Sequence, residues 1–387
     1  ITSFLGIIAQ RTGLNLSLLC RYTYGSKGMA IPMICMALMT LGWFSNIAGM
    51  VGDIWGTFLG NRSGIIVINP ANLGHNIPPI TLEGMLATIF WGLVFTYTAA
   101  KGIKAIEKVS SAVGPIILII AIVMGYVMIQ QVGGTESFLE IANQKTGLSL
   151  GTGITVLVGS WIAGAVMGVD LFRFNKNILA VWLGSAACFI ITNPVLNIVG
   201  YISTMSYGNY NFVAWMITQS IFVAIIGVFC WTVSLWTTDQ SELYCNSLYL
   251  GPVFDAFGKK NINRSKIVYI VGVFGTIIGA LGVYQIYFSN FINILGAVGP
   301  PICAPILADY FVVHRNNKKK YDKSTLYSQP KYRWNGIISF AIGGVLGYLF
   351  QYHIALPGDF PSGLAALIIA FIVYIIIYRF TPDYKKD

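Results

Sequence analysis

The run Ala112-VGPIILIIAIVMGYVMI-Gln130 carries no charged side chain over a length that, wound as a helix, crosses the roughly 30 Å apolar core of a bilayer. Similar runs recur at residues 178–200, 267–282 and 362–378. A soluble domain is about 25% charged, whereas this chain of 387 residues is 10% charged and 56% hydrophobic. That composition cannot present a water-facing surface all round. Reading outward from residues 112–130, spans are expected at 30–52, 83–100, 112–130, 153–170, 178–203, 213–244, 267–282, 288–312, 335–352 and 362–379. Residues 1–10 are apolar but too short to cross, and read as the inner end of a helix whose start lies outside the sequence. The chain is therefore an all-α integral membrane protein with about ten complete spans.

The formal charge of +10 invites a nucleic-acid reading, but the positions of the charges exclude it. All Lys and Arg except Arg62 and Lys145 fall in alternate loops, from Arg11, Arg21 and Lys27 through Lys318–Lys320 to Lys385 and Lys386. The positive-inside bias places those loops and the C-terminus in the cytoplasm of a cell membrane. The Lys318–Lys320 run reads as a solvated loop. Six cysteines in or beside apolar runs and three scattered histidines indicate neither a disulfide frame nor a zinc site. An intramembrane enzyme would need a nucleophile–base pair or a metal cluster, and a channel a repeated filter; the sequence shows neither pattern.

Polar groups and helix breaks inside a bilayer are expensive, so they mark candidate sites. Gly151–Gly164 sets Gly159, Ser160 and Gly164 around Trp161. Such a segment is either a broken helix that holds a solute or a small-residue packing face. Trp231–Tyr244 (WTVSLWTTDQSELY) spaces Ser234, Thr237, Thr238 and Ser241 on one helix face, and hydroxyl oxygens suit a small hard cation. Asp239, Gln240 and Glu242 follow in the same run. Trp43 lies well inside its span, so with Trp161 it can sandwich a planar ring. Asp170 and Arg173, three residues apart at a span end, read as an ion pair, and Asp309 reads as a cap on a neighbouring loop.

Thr12-Gly-Leu, Arg21-Tyr-Thr-Tyr-Gly-Ser-Lys-Gly28, Gly42-Trp-Phe, Gly159-Ser-Trp-Ile, Asp170-Leu-Phe-Arg-Phe174, Trp236-Thr-Thr, Leu243-Tyr, Gly299-Pro-Pro and Ala308-Asp-Tyr follow one another in a familiar order. Together they resemble the cytosine permeases of the nucleobase–cation symporter family across essentially the whole chain. The resemblance implies a LeuT-type inverted-repeat fold, twelve helices in the full protein and one transporter domain over 1–387. Residues 1–10 would then end helix 2, 11–312 hold helices 3–10, 313–334 form a cytoplasmic loop, and 335–387 hold helices 11–12 and the tail. Helix 1 and most of helix 2 would lie outside the sequence.

The resemblance also places a planar base between Trp43 and Trp161. Sodium would sit on the Ser234 carbonyl and the Thr237 and Thr238 hydroxyls, completed by helix 1 carbonyls. Two departures touch the substrate: Asp239 stands where the family reads Asn, and Thr40 replaces the glutamine that faces the base. An ionised Asp only accepts hydrogen bonds, so it favours a ligand edge bearing N–H groups: a purine or an aminopyrimidine as readily as cytosine. The expected function is sodium-coupled import of such a base, its edge read by Asp239, Gln240 and Ser160, by a membrane protein with no enzymatic activity and no cofactor. A protonated Asp239 in proton coupling is the alternative role for that residue. The second reading of the whole is a proton-coupled carrier of another small amine or amino acid.

Overall fold

The computed structural model describes residues 1–381 apart from 76, 103, 145–146, 260–261 and 317–320. The Lys318–Lys320 run, Lys145, Lys260, Lys385 and Lys386 lie outside the described residues. Helices Thr2–Thr12 (α1) and Leu16–Tyr24 (α2) precede a long Ala30–Leu59 (α3), and Leu82–Lys101 (α4) and Lys104–Gln131 (α5) follow it. Gly134–Asn143 (α6) is a short surface helix ahead of Leu150–Phe172 (α7). Ile178–Ala186 (α8) and Asn193–Tyr207 (α9) are joined by a π-helical segment, Ala187–Thr192, and together they make one span. Phe212–Ile217 (α10) leads into Ile221–Ala256 (α11). Arg264–Ala280 (α12), Val283–Val298 (α13), Ala304–Ala308 (α14), Trp334–Tyr352 (α15) and Ser362–Tyr378 (α16) complete the chain. A two-stranded antiparallel hairpin, Ile66–Ile68 (β1) and Ile80–Thr81 (β2), lies in the connection between α3 and α4 and packs on α4.

Among the described residues, seven helical stretches are long and apolar enough to cross a membrane, and α12, α15 and α16 occupy the remaining expected spans. The outward faces confirm the solvent. On α5, Ile116, Ile119, Ile122 and Tyr126 are all exposed at helical spacing, an apolar stripe that belongs against lipid rather than water. Inward faces use small residues for close approach. Gly92 of α4 lies against Thr276 of α12, and Gly272 of α12 against Thr96 of α4, so a Cβ at either glycine would meet the partner threonine within 2.5 Å.

Two expectations are corrected, and a question left open by the sequence is answered. The span expected at 213–244 is two helices: Ser220 accepts from Val223 N and starts α11, which runs on to Ala256 and keeps the whole polar run helical. The span expected at 288–312 is interrupted, because the prolines of Gly299-Pro300-Pro301 cannot donate to an α-ladder; a 3-10 turn, the short α14 and a π-helical Asp309–Val313 follow. The glycine-dense 151–164 segment is not broken. α7 is continuous, and Gly159 is the point where α13 touches it: a Cβ there would lie 2.0 Å from the Ile292 carbonyl. Gly151 and Gly159 thus serve close packing, against Asp359 and Ile292, whereas among the described residues no other segment approaches Gly153 or Gly164 in the same way.

Candidate functional site

Two hydroxyls of the α11 run converge on one carbonyl, while Ser241 Oγ donates to Thr237 O at 3.2 Å. Thr237 Oγ1 donates to Ser234 O at 2.8 Å, and Thr238 Oγ1 donates to the same oxygen at 3.3 Å. These are the local i−3 and i−4 bonds that threonine makes in any apolar helix, yet each hydroxyl keeps a lone pair for a cation. Thr238 is exposed, unlike its neighbours Asp239 and Gln240. The donor set is chemically right for a hard monovalent ion. Three oxygens from one turn do not close a coordination shell, so the other ligands must come from another segment.

Asp239, Gln240 and Thr40 are buried, at 0%, 3% and 1% exposure. Neither carboxylate oxygen of Asp239 has a hydrogen-bond partner. Thr40 is fully committed on its donor side: Oγ1 shares its proton between Met36 O at 3.0 Å and Ala37 O at 3.2 Å. It also accepts from Asn246 Nδ2 at 2.8 Å, while the same amide donates to Ala37 O at 2.7 Å. Asn246 therefore pins α11 to α3 beside the expected substrate position. Sequence reasoning missed it, although it lies seven residues beyond Asp239 and thus on the same face of α11.

Trp43 is half-buried near the middle of α3 and packs edge-on to Phe288 and Phe291 of α13, at 6.1 and 5.9 Å between centroids. Neither phenylalanine is stacked on the indole. Trp161 of α7 packs edge-on to Phe189 at 5.7 Å. The two tryptophans make no ring contact with each other among the described residues. Ser160 Oγ donates to Val156 O of its own helix at 2.9 Å. Trp161 lines a cavity of about 500 Å³ with Trp182, Ser185 and Phe189. A second cavity, of about 390 Å³, is lined by Asn46, Asp53, Asn61, Tyr210, Gln285 and Phe288 at the end of α3 away from the basic loops. Asp53 accepts there from Gln285 of α13.

Asp170 does not form the expected side-chain ion pair. Arg173 Nε donates to the Asp170 main-chain carbonyl at 3.1 Å. The carboxylate instead accepts from Leu16 N at 3.1 Å and from Tyr249 OH at 2.9 Å, tying α7 to the start of α2 and to α11. Local spacing suggested a neighbour; the partners lie far away in sequence. Asp309 does hold a loop: it accepts from Tyr321 OH and, at 2.5 Å, from Tyr374 OH of α16, and His314 Nδ1 lies 3.0 Å away.

A helical bundle of this kind, with a polar face of α11 buried against α3 and interrupted helices at its core, is a polytopic membrane protein of the LeuT-type fold. Solved structures agree on the fold. Mhp1, a nucleobase-cation-symport-1 family transporter in a closed conformation with bromovinylhydantoin bound, superposes with a TM-score of 0.74 at 20% identity, covering 98% of this chain and 83% of that one. A Na+-coupled sialic acid symporter superposes with a TM-score of 0.63 at 11% identity over 99% of this chain and 83% of that one.

The chain belongs to the family of permeases for cytosine/purines, uracil, thiamine and allantoin, whose model matches residues 1–371. Among its relatives, the cytosine permease of Escherichia coli K12 is 25% identical over 360 residues, 93% of this chain and 76% of that protein. The hydantoin permease of Microbacterium maritypicum is 24% identical over 91% of this chain and 70% of that protein. The protein is thus a multi-pass membrane transporter, and its relatives are permeases rather than enzymes.

Proposed function

We propose that this protein is a cation-coupled symporter that imports a nucleobase or related heteroaromatic amide by alternating access across a bacterial inner membrane, with its C-terminus in the cytoplasm. The observation that carries the reading is Asp239. A fully buried carboxylate with two unpartnered oxygens, two turns from an amide anchored to α3, is a site built to receive N–H donors. Ligands of the relatives, cytosine and hydantoin among them, carry such donors on planar rings.

Trp43 and Trp161 supply aromatic faces for such a ring, with Thr40, Ser160 and Gln240 at its edge. The Ser234 carbonyl and the Thr237 and Thr238 hydroxyls supply one side of a sodium site. Sodium bound there favours the conformer that accepts substrate, and the shared helix makes the two binding events interdependent. The whole chain, 1–387, acts as one transporter domain.

Uptake of labelled cytosine, adenine, guanine and hydroxymethylpyrimidine into proteoliposomes, with and without an inward sodium gradient, tests this. Sodium-dependent accumulation of one of them, lost in Thr238→Ala, is the expected result. If none accumulates under any cation gradient, the nucleobase reading fails.

A further inference from the structure

The face of α3 that carries Trp43 continues through Asn46, Met50, Asp53 and Thr57 toward the end of the helix away from the basic loops, at three- and four-residue steps that keep side chains on one side. These four line the cavity of about 390 Å³, with Tyr210 just before α10 and Gln285 and Phe288 of α13 on its other walls. That volume lies within the range of about 300 to 1,000 Å³ that small ligands occupy. The cavity also adjoins the candidate site. Asn46 and Phe288 line a smaller neighbouring cavity of about 110 Å³ together with Gly42 and Phe291. Phe288 and Phe291 are the two rings packed edge-on to Trp43.

The chemistry of the walls restricts what fits. Asn46 is 2% exposed and its Nδ2 has no hydrogen-bond partner. A buried amide donor that the fold leaves over calls for an acceptor from outside it. Asp53, two turns further along the same face, accepts from Gln285 Nε2, and a carboxylate takes more than one N–H. Tyr210 and Phe288 add aromatic faces. Among the described residues no Lys or Arg lines the cavity.

An anionic ligand is therefore repelled by Asp53, and a bare cation leaves the Asn46 donor unanswered. A neutral planar ring with a C=O on one side and an N–H on another meets every demand, its faces against the aromatic walls. Asn46 and Asp53 are seven residues apart, roughly 10 Å along the helix axis. One ring with a hydrogen bond of about 3 Å at each end spans that gap. We propose that the 390 Å³ cavity is a second binding site for the transported ring, a neutral planar heterocycle that accepts from Asn46 and donates to Asp53 before it passes Phe288 to reach Trp43.

The inference rests on the nucleobase reading for the identity of the ring, and is independent of the sodium and Asp239 assignments. The two sites make different demands. The cavity offers both a donor and an acceptor, so it admits any ring with a lactam-like edge, whereas Asp239 offers acceptors alone. A ring that satisfies the first and fails at the second competes for entry without being carried.

Thr57 is exposed where it lines the cavity, and none of the six cysteines lines it, so Thr57→Cys gives a reporter. The full chain carrying Thr57→Cys, in detergent at constant sodium, is labelled with a charged maleimide in the presence of cytosine, adenine, guanine or hydroxymethylpyrimidine. The base that uptake identifies as substrate should slow labelling of the new cysteine. It should slow it equally when Trp43→Ala is added, which removes a stacking face of the candidate site. Asn46→Leu added instead should raise the concentration for half-protection about tenfold, the effect of one hydrogen bond. The Trp43→Ala comparison decides the question if Asn46→Leu does not fold. Protection that vanishes with Trp43→Ala arises at the inner site and overturns the proposal. A transported base that never protects overturns it too, and both outcomes leave the nucleobase reading standing. Protection by sodium alone, with nothing added by a base, makes the cavity a cation site and overturns the proposal. If no base is taken up and none protects, the second site and the nucleobase reading fail together.

Discussion

Asp239 and Asp309 are equally buried, both at 0% exposure, and are opposite in every other respect. Asp309 is saturated: Tyr321, Tyr374 and His314 converge on it from the adjoining loop, from α16 and from its own segment, and Tyr378 OH meets His314 Nε2 at 3.1 Å. Asp239 has no partner at all. Burial alone therefore does not mark function in this protein. A carboxylate with its acceptor sites filled is a clamp, and one with them empty waits for something that arrives and leaves.

The sharpest way to break that contrast is at the transported ring. Trp43→Ala should reduce uptake of a planar base about 10- to 100-fold, the range that loss of one stacking face gives. Binding in detergent should weaken with it while the melting temperature barely moves. A melting shift as large as the loss of uptake would place Trp43 among packing residues. The clamp should behave in reverse. Asp309→Asn removes the charge that two tyrosines and a histidine hold, and should cost on the order of 3 kcal/mol of stability, read as a drop in melting temperature in detergent. Asp239→Asn should leave the melting temperature near wild type and change which bases are accepted, since an amide can donate as well as accept. If both variants melt alike, the distinction between clamp and site collapses.

Much of the membrane architecture was legible because apolar run length and the alternation of basic loops are local features. Partnerships were not. Asp170 reads locally as the mate of Arg173, but its carboxylate meets Tyr249 and the Leu16 amide, 79 and 154 residues away. The glycines of 151–164 left a broken helix and a packing face equally open, because a missing side chain looks the same whether it frees the backbone or admits a neighbour; at Gly159 the position of Ile292 decides. The hydroxyl run of α11 was readable as a cation face, while Asn246 fell beyond the polar run and needed the three-and-four spacing carried one further turn.

Asn246 sharpens the comparison at smaller scale. Asn246→Ala removes two donors that hold α11 to α3, one to a main-chain carbonyl and one to Thr40. It should cost about 1 to 2 kcal/mol in stability and raise the substrate concentration for half-maximal uptake, because Thr40 loses the group that fixes it. Asn246→Asp, which keeps the size and removes the donor, should be worse than alanine, since it adds a third buried carboxylate to the side of α11 that carries Asp239 and Glu242. An aspartate variant that melts above the alanine variant would show that this side of α11 already holds positive charge.

The smallest effect belongs to the loop beside the clamp. Asp322 caps the 3-10 turn Lys323–Ser328 by accepting from Ser324 N at 2.8 Å, and its own carbonyl accepts from Tyr22 OH of α2 at 2.6 Å. The Ser324 amide holds its carboxyl below the usual carboxylate range. A carboxyl depressed in the folded state lends its cap in full above the unfolded value of about 4 and loses it as pH falls through the lower folded value. Amide exchange at Ser324 and Thr325 should therefore quicken as the solution is acidified below about pH 4, while the amides of α16 near Tyr374 stay protected. Asp322→Ala should show the fast exchange at every pH. If α16 loosens together with the turn, the cap and the Asp309 clamp are one cooperative unit, and the clamp's stability depends on an exposed carboxylate as well as a buried one.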